Sequence, residues 1–188
     1  MSEQKRVFVA IDISDEVRQK IAAYIRDLMR HSEAAAVKFE RPEKLHLTLK
    51  FLGDIDPNRL ENVVSAVYII AGRHDSFALE VAGTGVFPNA AKPRILWLGI
   101  RGEGPSSIVS EIDDACRALG FPPEKRDFKP HLTMGRVRQG DKASEVVRYH
   151  LDHDFAPVRS LVTKLSIYES RLLRTGSVYT LVSSHRLR

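Results

Sequence analysis

The chain has 188 residues, 43% of them hydrophobic, with 29 Lys and Arg against 24 Asp and Glu, a formal charge of +5. This length and apolar content suit a globular unit with a real core, and no apolar run is long enough for a membrane span. The mild basic excess suits a polyanionic partner and equally a solvated surface.

The opening MSEQKRVFVA has no long apolar stretch of the kind a secretory leader needs, so a cytoplasmic protein is expected. Val7, Val9 and Ile11 then alternate with Phe8, Ala10 and Asp12 and predict a strand. Ser14 is placed to cap a helix carrying Val17, Ile21, Tyr24, Ile25 and Leu28, with Asp15 and Glu16 in its first turn. A short strand over 37–39 and the turn Arg41-Pro42-Glu43 lead into a second strand over 45–52. Asp56-Pro57 opens a helix whose apolar stripe is Leu60, Val63, Val64 and Val67. Strands are expected over 77–81 and 95–100, with a loop between Gly83 and Arg94 in which Gly83-Thr84-Gly85 is a turn. A helix over about 106–119 follows, and Cys116, the single cysteine, falls in phase with its Ile108, Ile112 and Leu119. One cysteine excludes an intrachain disulfide, and a core position is expected for it. A strand over 131–137, a helix over 142–151 and strands over 162–168 and 177–183 complete the chain. Eight strands and three or four helices in mixed order predict an α+β fold with antiparallel sheets. With no linker in sight, 1–188 is expected to be a single domain.

Two tetrapeptides stand out, His46-Leu47-Thr48-Leu49 and His131-Leu132-Thr133-Met134. Seven histidines and six threonines predict a His with Thr two residues later only about 0.2 times by chance. On a strand, residues i and i+2 share a face, so each His lies beside its Thr while Leu47, Leu49, Leu132 and Met134 point into an apolar layer. Two such pairs suit the opening of a cyclic phosphodiester. One histidine takes a proton from water, the other protonates the departing ribose oxygen, and the two stand on opposite sides of phosphorus. The threonine hydroxyls can donate to the nonbridging oxygens as charge develops. Neither a metal nor any other cofactor is called for.

The same motifs resemble the two-histidine (2H) phosphoesterase superfamily, and within it the RNA 2′,3′-cyclic phosphodiesterases historically called 2′-5′ RNA ligases. The similarity runs through Arg6 to Asp12, Leu45 to Gly53, Gly85-Val86-Phe87-Pro88-Asn89, Pro93 to Gly99 and Tyr168-Glu169-Ser170-Arg171-Leu172. It implies a bilobal fold of two antiparallel sheets flanked by helices around a central cleft. It implies hydrolysis of an RNA 2′,3′-cyclic phosphate end to a 2′-phosphomonoester. It also implies His46 as proton donor, His131 as proton acceptor, and Thr48, Thr133 and Arg136 as phosphate-binding residues. Phe8 fits the first-strand pattern and is either a base-stacking residue or a core aromatic. Met134-Gly135-Arg136 departs from the family continuation, and Gly135 could mark a bulge. Composition and spacing leave the acid and base roles interchangeable.

Other signals are weaker. His74-Asp75 and His153-Asp154 lack the further ligands of a metal-dependent phosphohydrolase, and His150 and His153 are expected at the surface. No phosphate loop of the Gly-x-x-x-x-Gly-Lys-Ser/Thr type exists. Trp97 is expected in the core. The expected partners are RNA or nucleotide 2′,3′-cyclic phosphate ends, with no membrane association and a monomeric state. The alternatives are 2′-5′ RNA ligation at the same site and a nucleotide- or RNA-binding module without turnover.

Overall fold

The computed structural model describes residues 4–173 and 176–188. The elements in order are β1 (Lys5–Asp12), α1 (Asp15–Leu28), β2 (Val37–Phe39), β3 (His46–Ile55), α2 (Pro57–Ala71), β4 (Phe77–Phe87), β5 (Ile95–Arg101), α3 (Gly104–Ala118), β6 (His131–Val137), α4 (Ser144–Asp152), β7 (Val158–Val162), β8 (Lys164–Leu173) and β9 (Gly176–Arg186). The Ser14 hydroxyl accepts from the Val17 N–H, and Asp56 caps α2 with Pro57 in its first turn, as expected.

All strand pairs are antiparallel, in the order β7-β4-β5-β6-β3-β1-β8-β9, with β2 beside β6. This order forms two lobes, β3-β1-β8-β9 and β7-β4-β5-β6, joined where β3 meets β6. A single register pair, Leu47 with Leu132, makes that junction. The expected two-lobed α+β architecture is therefore present, with its two sheets continuous through one bridge.

The halves of the chain are interlaced. The first helix of each half backs the opposite lobe, α1 lying on β7 and α4, and α3 on β3 and α2. A later strand of each half also crosses over: β4, after α2, pairs with β5, and β8, which follows α4 and β7, pairs with β1. Val7, Val9, Ile11, Val17, Ile21, Leu47, Leu96, Leu98, Leu132 and Ile167 are buried to 1% exposure or less between sheet and helices.

Three expectations need correction. Gly83-Thr84-Gly85 is not a turn, because β4 continues through it to Phe87. Gly83, at φ +72°, sits in a register shift between Val81 and Thr84, a bulge that glycine accommodates at positive φ. The penultimate strand is preceded by a separate strand, β7, which raises the count to nine among the described residues. His150 is not at the surface but fully buried, bonded to Tyr24 and to the Gly85 carbonyl.

Candidate active site

The Leu47–Leu132 bridge builds the site. Both leucines point into the core, at 1% and 0% exposure, so the residues on either side of them face the opposite way, into the cleft. Antiparallel register then sets His46 opposite Thr133 and Thr48 opposite His131. The two histidines are diagonal neighbours, a placement that separates residues by about 7–8 Å and their Cβ atoms by somewhat less. The threonines occupy the other diagonal. Among the described residues this is the one register pair between β3 and β6.

Each imidazole is fixed the same way. His46 Nδ1 lies 2.6 Å from the Lys44 carbonyl oxygen, and His131 Nδ1 lies 2.6 Å from that of Lys129. A carbonyl only accepts, so both Nδ1 atoms carry the proton and both Nε2 atoms are free for proton exchange. The partner is the residue two positions earlier in both cases, which makes the two clamps equivalent.

Both histidine strands bulge just after the threonine. Ala10 pairs with Thr48 and Val9 with Lys50, which leaves Leu49 as the extra residue; Trp97 pairs with Thr133 and Leu96 with Gly135, which leaves Met134 as the extra residue. The bulge reverses the alternation. Leu49 and Lys50 are consecutively buried, as are Met134 and Gly135, and the next residues, Phe51 and Arg136, are exposed on the cleft face. Gly135 is explained by space: a Cβ there would lie 2.8 Å from Val37 Cγ1 on β2. Buried Lys50 turns away from the cleft to the Asp113 carboxylate and the Pro122 carbonyl. Contact with the Lys50 ammonium holds the Asp113 carboxyl below the ordinary range.

The walls of the two lobes differ. Phe8 is 1% exposed and stacks under His46, with ring centroids 4.8 Å apart. Tyr168 stacks on Phe8 at 5.6 Å, and Tyr179 meets His46 edge-on at 5.3 Å. Phe8 thus takes the buried alternative: His46 and Tyr168 cover it, and it supports the histidine ring. Tyr168 donates to Asp12, which pairs in register with His46. Burial and this bond push the Tyr168 hydroxyl up to about 12. Burial lowers the His46 pKa from the ordinary histidine value, and the Lys44 carbonyl and Asp12 act against the shift. In the other lobe, Phe87 meets His131 edge-on at 5.0 Å and lies tilted against Trp97 at 5.3 Å. Trp97 is partly buried and lies across Gly85, where a Cβ would fall 2.1 Å from the indole.

Sequence reasoning located His46, Thr48, His131 and Thr133, which the fold brings together, and Arg136, which reaches the cleft face beyond the bulge. It gave no role to Tyr168, Tyr179, Phe87 or Trp97. Three of these lay in the stretches that carry the family resemblance; Tyr179 carried no signal. The remaining candidates are occupied elsewhere. His74 bonds Glu111 and Asp75 pairs with Arg188. Cys116 is a core residue whose thiol burial pushes up to about 11. Among the described residues no group of three or more His, Cys, Asp or Glu side chains is arranged to hold a metal, and no helix is long and apolar enough to cross a membrane.

The family model of the LigT-like phosphoesterases matches residues 11–97 and 102–179. The chain belongs to this two-histidine phosphoesterase family. It is 34% identical over 186 residues to an RNA 2′,3′-cyclic phosphodiesterase of Methanothermobacter thermautotrophicus, covering 97% of this chain and 98% of the relative. A Thermotoga maritima protein of the same name is 32% identical over 176 residues, covering 93% and 91%. Among solved structures, TT0787 of Thermus thermophilus superposes with TM-score 0.80 at 26% identity, covering 97% of this chain and 98% of that one. Apo LigT of E. coli gives 0.77 at 25% identity, covering 99% of both chains.

Proposed function

We propose that this chain hydrolyses 2′,3′-cyclic phosphate ends of RNA to 2′-phosphomonoesters by two-histidine acid–base catalysis. One observation carries the reading: two imidazoles with Nδ1 locked on backbone carbonyls, set diagonally across one bridge with a threonine on the other diagonal. A phosphate between them meets a free Nε2 from each lobe, the layout that in-line attack and departure require. His131 takes the proton of the attacking water, and His46 delivers one to the departing 3′ oxygen. Each such transfer is typically worth about 10²–10⁴ in rate. The Thr48 and Thr133 hydroxyls donate to the nonbridging oxygens and Arg136 offsets their charge. The relatives' name, RNA 2′,3′-cyclic phosphodiesterase, supports the substrate. Since each lobe supplies half of the site, residues 1–188 act as one catalytic domain.

The test is product analysis on an oligonucleotide ending in a 2′,3′-cyclic phosphate. The wild type is expected to yield the 2′-phosphate, with and without a chelator, and His46→Ala and His131→Ala no product. Full activity of either variant defeats the acid–base pair. Binding without turnover by the wild type defeats the hydrolase, and a 2′-5′ joined product with a second RNA assigns ligation to the same site.

A further inference from the structure

Beyond Arg136 the end of β6 opens into a groove of about 730 Å³, separate from the histidine cleft. It lies between the β4–β5 connection, the β6–α4 connection and the outer face of α4. Five cations line it, Lys92, Arg94, Arg138, Lys142 and Arg148, against two carboxylates, Asp141 and Asp152. All five are exposed, and none is ion-paired among the described residues. The rest of the lining is aliphatic or small, including Pro88, Pro93, Val147 and Leu151, with no aromatic side chain among the described residues.

The groove adjoins the reaction centre. Val137 and Arg94 in its wall are hydrogen-bonded through their backbones, next to the Arg136–Ile95 pair. Val137 lies four positions beyond Thr133, about 13 Å along the strand, farther than one nucleotide extends from its phosphate. Near His46, by contrast, a smaller pocket of about 400 Å³ is lined by Asp12, Asp15 and Glu43 against Arg18 and Lys164. There Lys164 pairs with Asp12 and Arg18 with Asp15, so among the described residues only the other end offers a polyanion leaving the cleft a set of cations outside ion pairs.

We infer that the basic groove holds the sugar–phosphate backbone of a single-stranded RNA whose 3′ end occupies the cleft. Its aliphatic lining makes it a backbone track rather than a reader of bases, because unspecific single-strand sites read bases by stacking on aromatic rings. The inference rests on the cyclic-phosphate reading and makes an oligonucleotide, not a mononucleotide, the preferred substrate.

The variant Lys92→Gln, Arg94→Gln, Arg148→Gln removes three cations, none of them in the catalytic set. The probes are a 2′,3′-cyclic mononucleotide and a strand of about eight nucleotides, a length within ordinary single-strand site sizes. Turnover of the mononucleotide is expected to be unchanged, while KM for the oligonucleotide rises at least tenfold. Anisotropy with the same strand ending in a linear 3′-phosphate should show the log affinity–log salt slope reduced by about 2, from about 0.7 per lost contact. Equal KM and slope for variant and parent overturn the groove, as does an acidic peptide that binds there as tightly as RNA. If no cyclic phosphate is hydrolysed by the parent, the cyclic-phosphate reading fails, while the anisotropy arm still decides the groove.

Discussion

Replacing Gly85 by alanine puts a methyl carbon 2.1 Å from Cζ2 and 2.3 Å from Cη2 of the Trp97 indole. Carbon atoms in contact prefer about 3.5–4.0 Å, so the ring must retreat by about 1.5 Å or the β4–β5 pair must part. Overpacking of this kind costs about 1–3 kcal/mol, a fall in Tm of about 2–12 °C for a chain of this size. The displacement reaches the site through Phe87, which touches Trp97 and His131. A shift of about 1 Å in a catalytic group can cost about 10²-fold in rate. Trp97 is the sole tryptophan, so its emission reports the movement directly. Thermal unfolding, emission spectrum and kcat on a cyclic-phosphate substrate should all change in Gly85→Ala. Adding Trp97→Leu should restore part of the stability, since the two sites are in contact and couple. Unchanged Tm and emission in Gly85→Ala would refute the packing of Trp97 over that glycine.

Further outcomes follow from the same geometry. Because burial lowers the His46 pKa, its imidazole loses its proton at lower pH than an exposed histidine; one apparent pKa of kcat/KM should fall below about 6.5, and a profile with both limbs above pH 7 contradicts this. The bound anion favours the protonated ring, so the corresponding limb of kcat should lie at higher pH than that of kcat/KM. Buried His150, whose Nε2–H donates to the Gly85 carbonyl and whose Nδ1 accepts from Tyr24, has a lowered pKa mainly through burial. The unfolded chain therefore binds more protons, and stability is lost as pH falls through about 6.5. His150→Gln should be less stable at pH 7 by about 1–3 kcal/mol yet lose less on acidification, as urea unfolding at pH 7 and pH 5 would measure. Lys50→Met strands the Asp113 carboxylate at the base of the bulge and should cost about 2 kcal/mol, with a smaller loss when Asp113→Asn is added.

What the sequence disclosed was periodic. Alternation in His46-Leu47-Thr48-Leu49 and its repeat marked which side chains face the cleft, and the caps at Ser14 and Asp56 marked helix starts. Helix stripes placed Cys116 in the core. Departures from regular period were illegible or misread. Gly83 and Gly85 suggested a turn because glycine signals chain reversal, yet one serves a bulge and the other makes room for an indole. The bulge at Leu49 has no residue signal, and its twin was hinted at only by Gly135. His150 was misplaced because its partners, Tyr24 and Gly85, are 126 and 65 positions away. The crossing of α1 and α3 to opposite lobes depends on connections between halves that no local pattern encodes.

The paired bulges also bear on direction. Two near-identical strands related by an approximate two-fold cannot by themselves tell one end of a bound molecule from the other. Past the bulge, however, the exposed residue is the aromatic Phe51 in one lobe and the cation Arg136 in the other, backed by buried Phe8 and half-buried Ile95. A duplicated frame thus differs between its lobes at two exposed positions, and exchanging them, Phe51→Arg with Arg136→Phe, would swap the aromatic and cationic walls without moving either histidine.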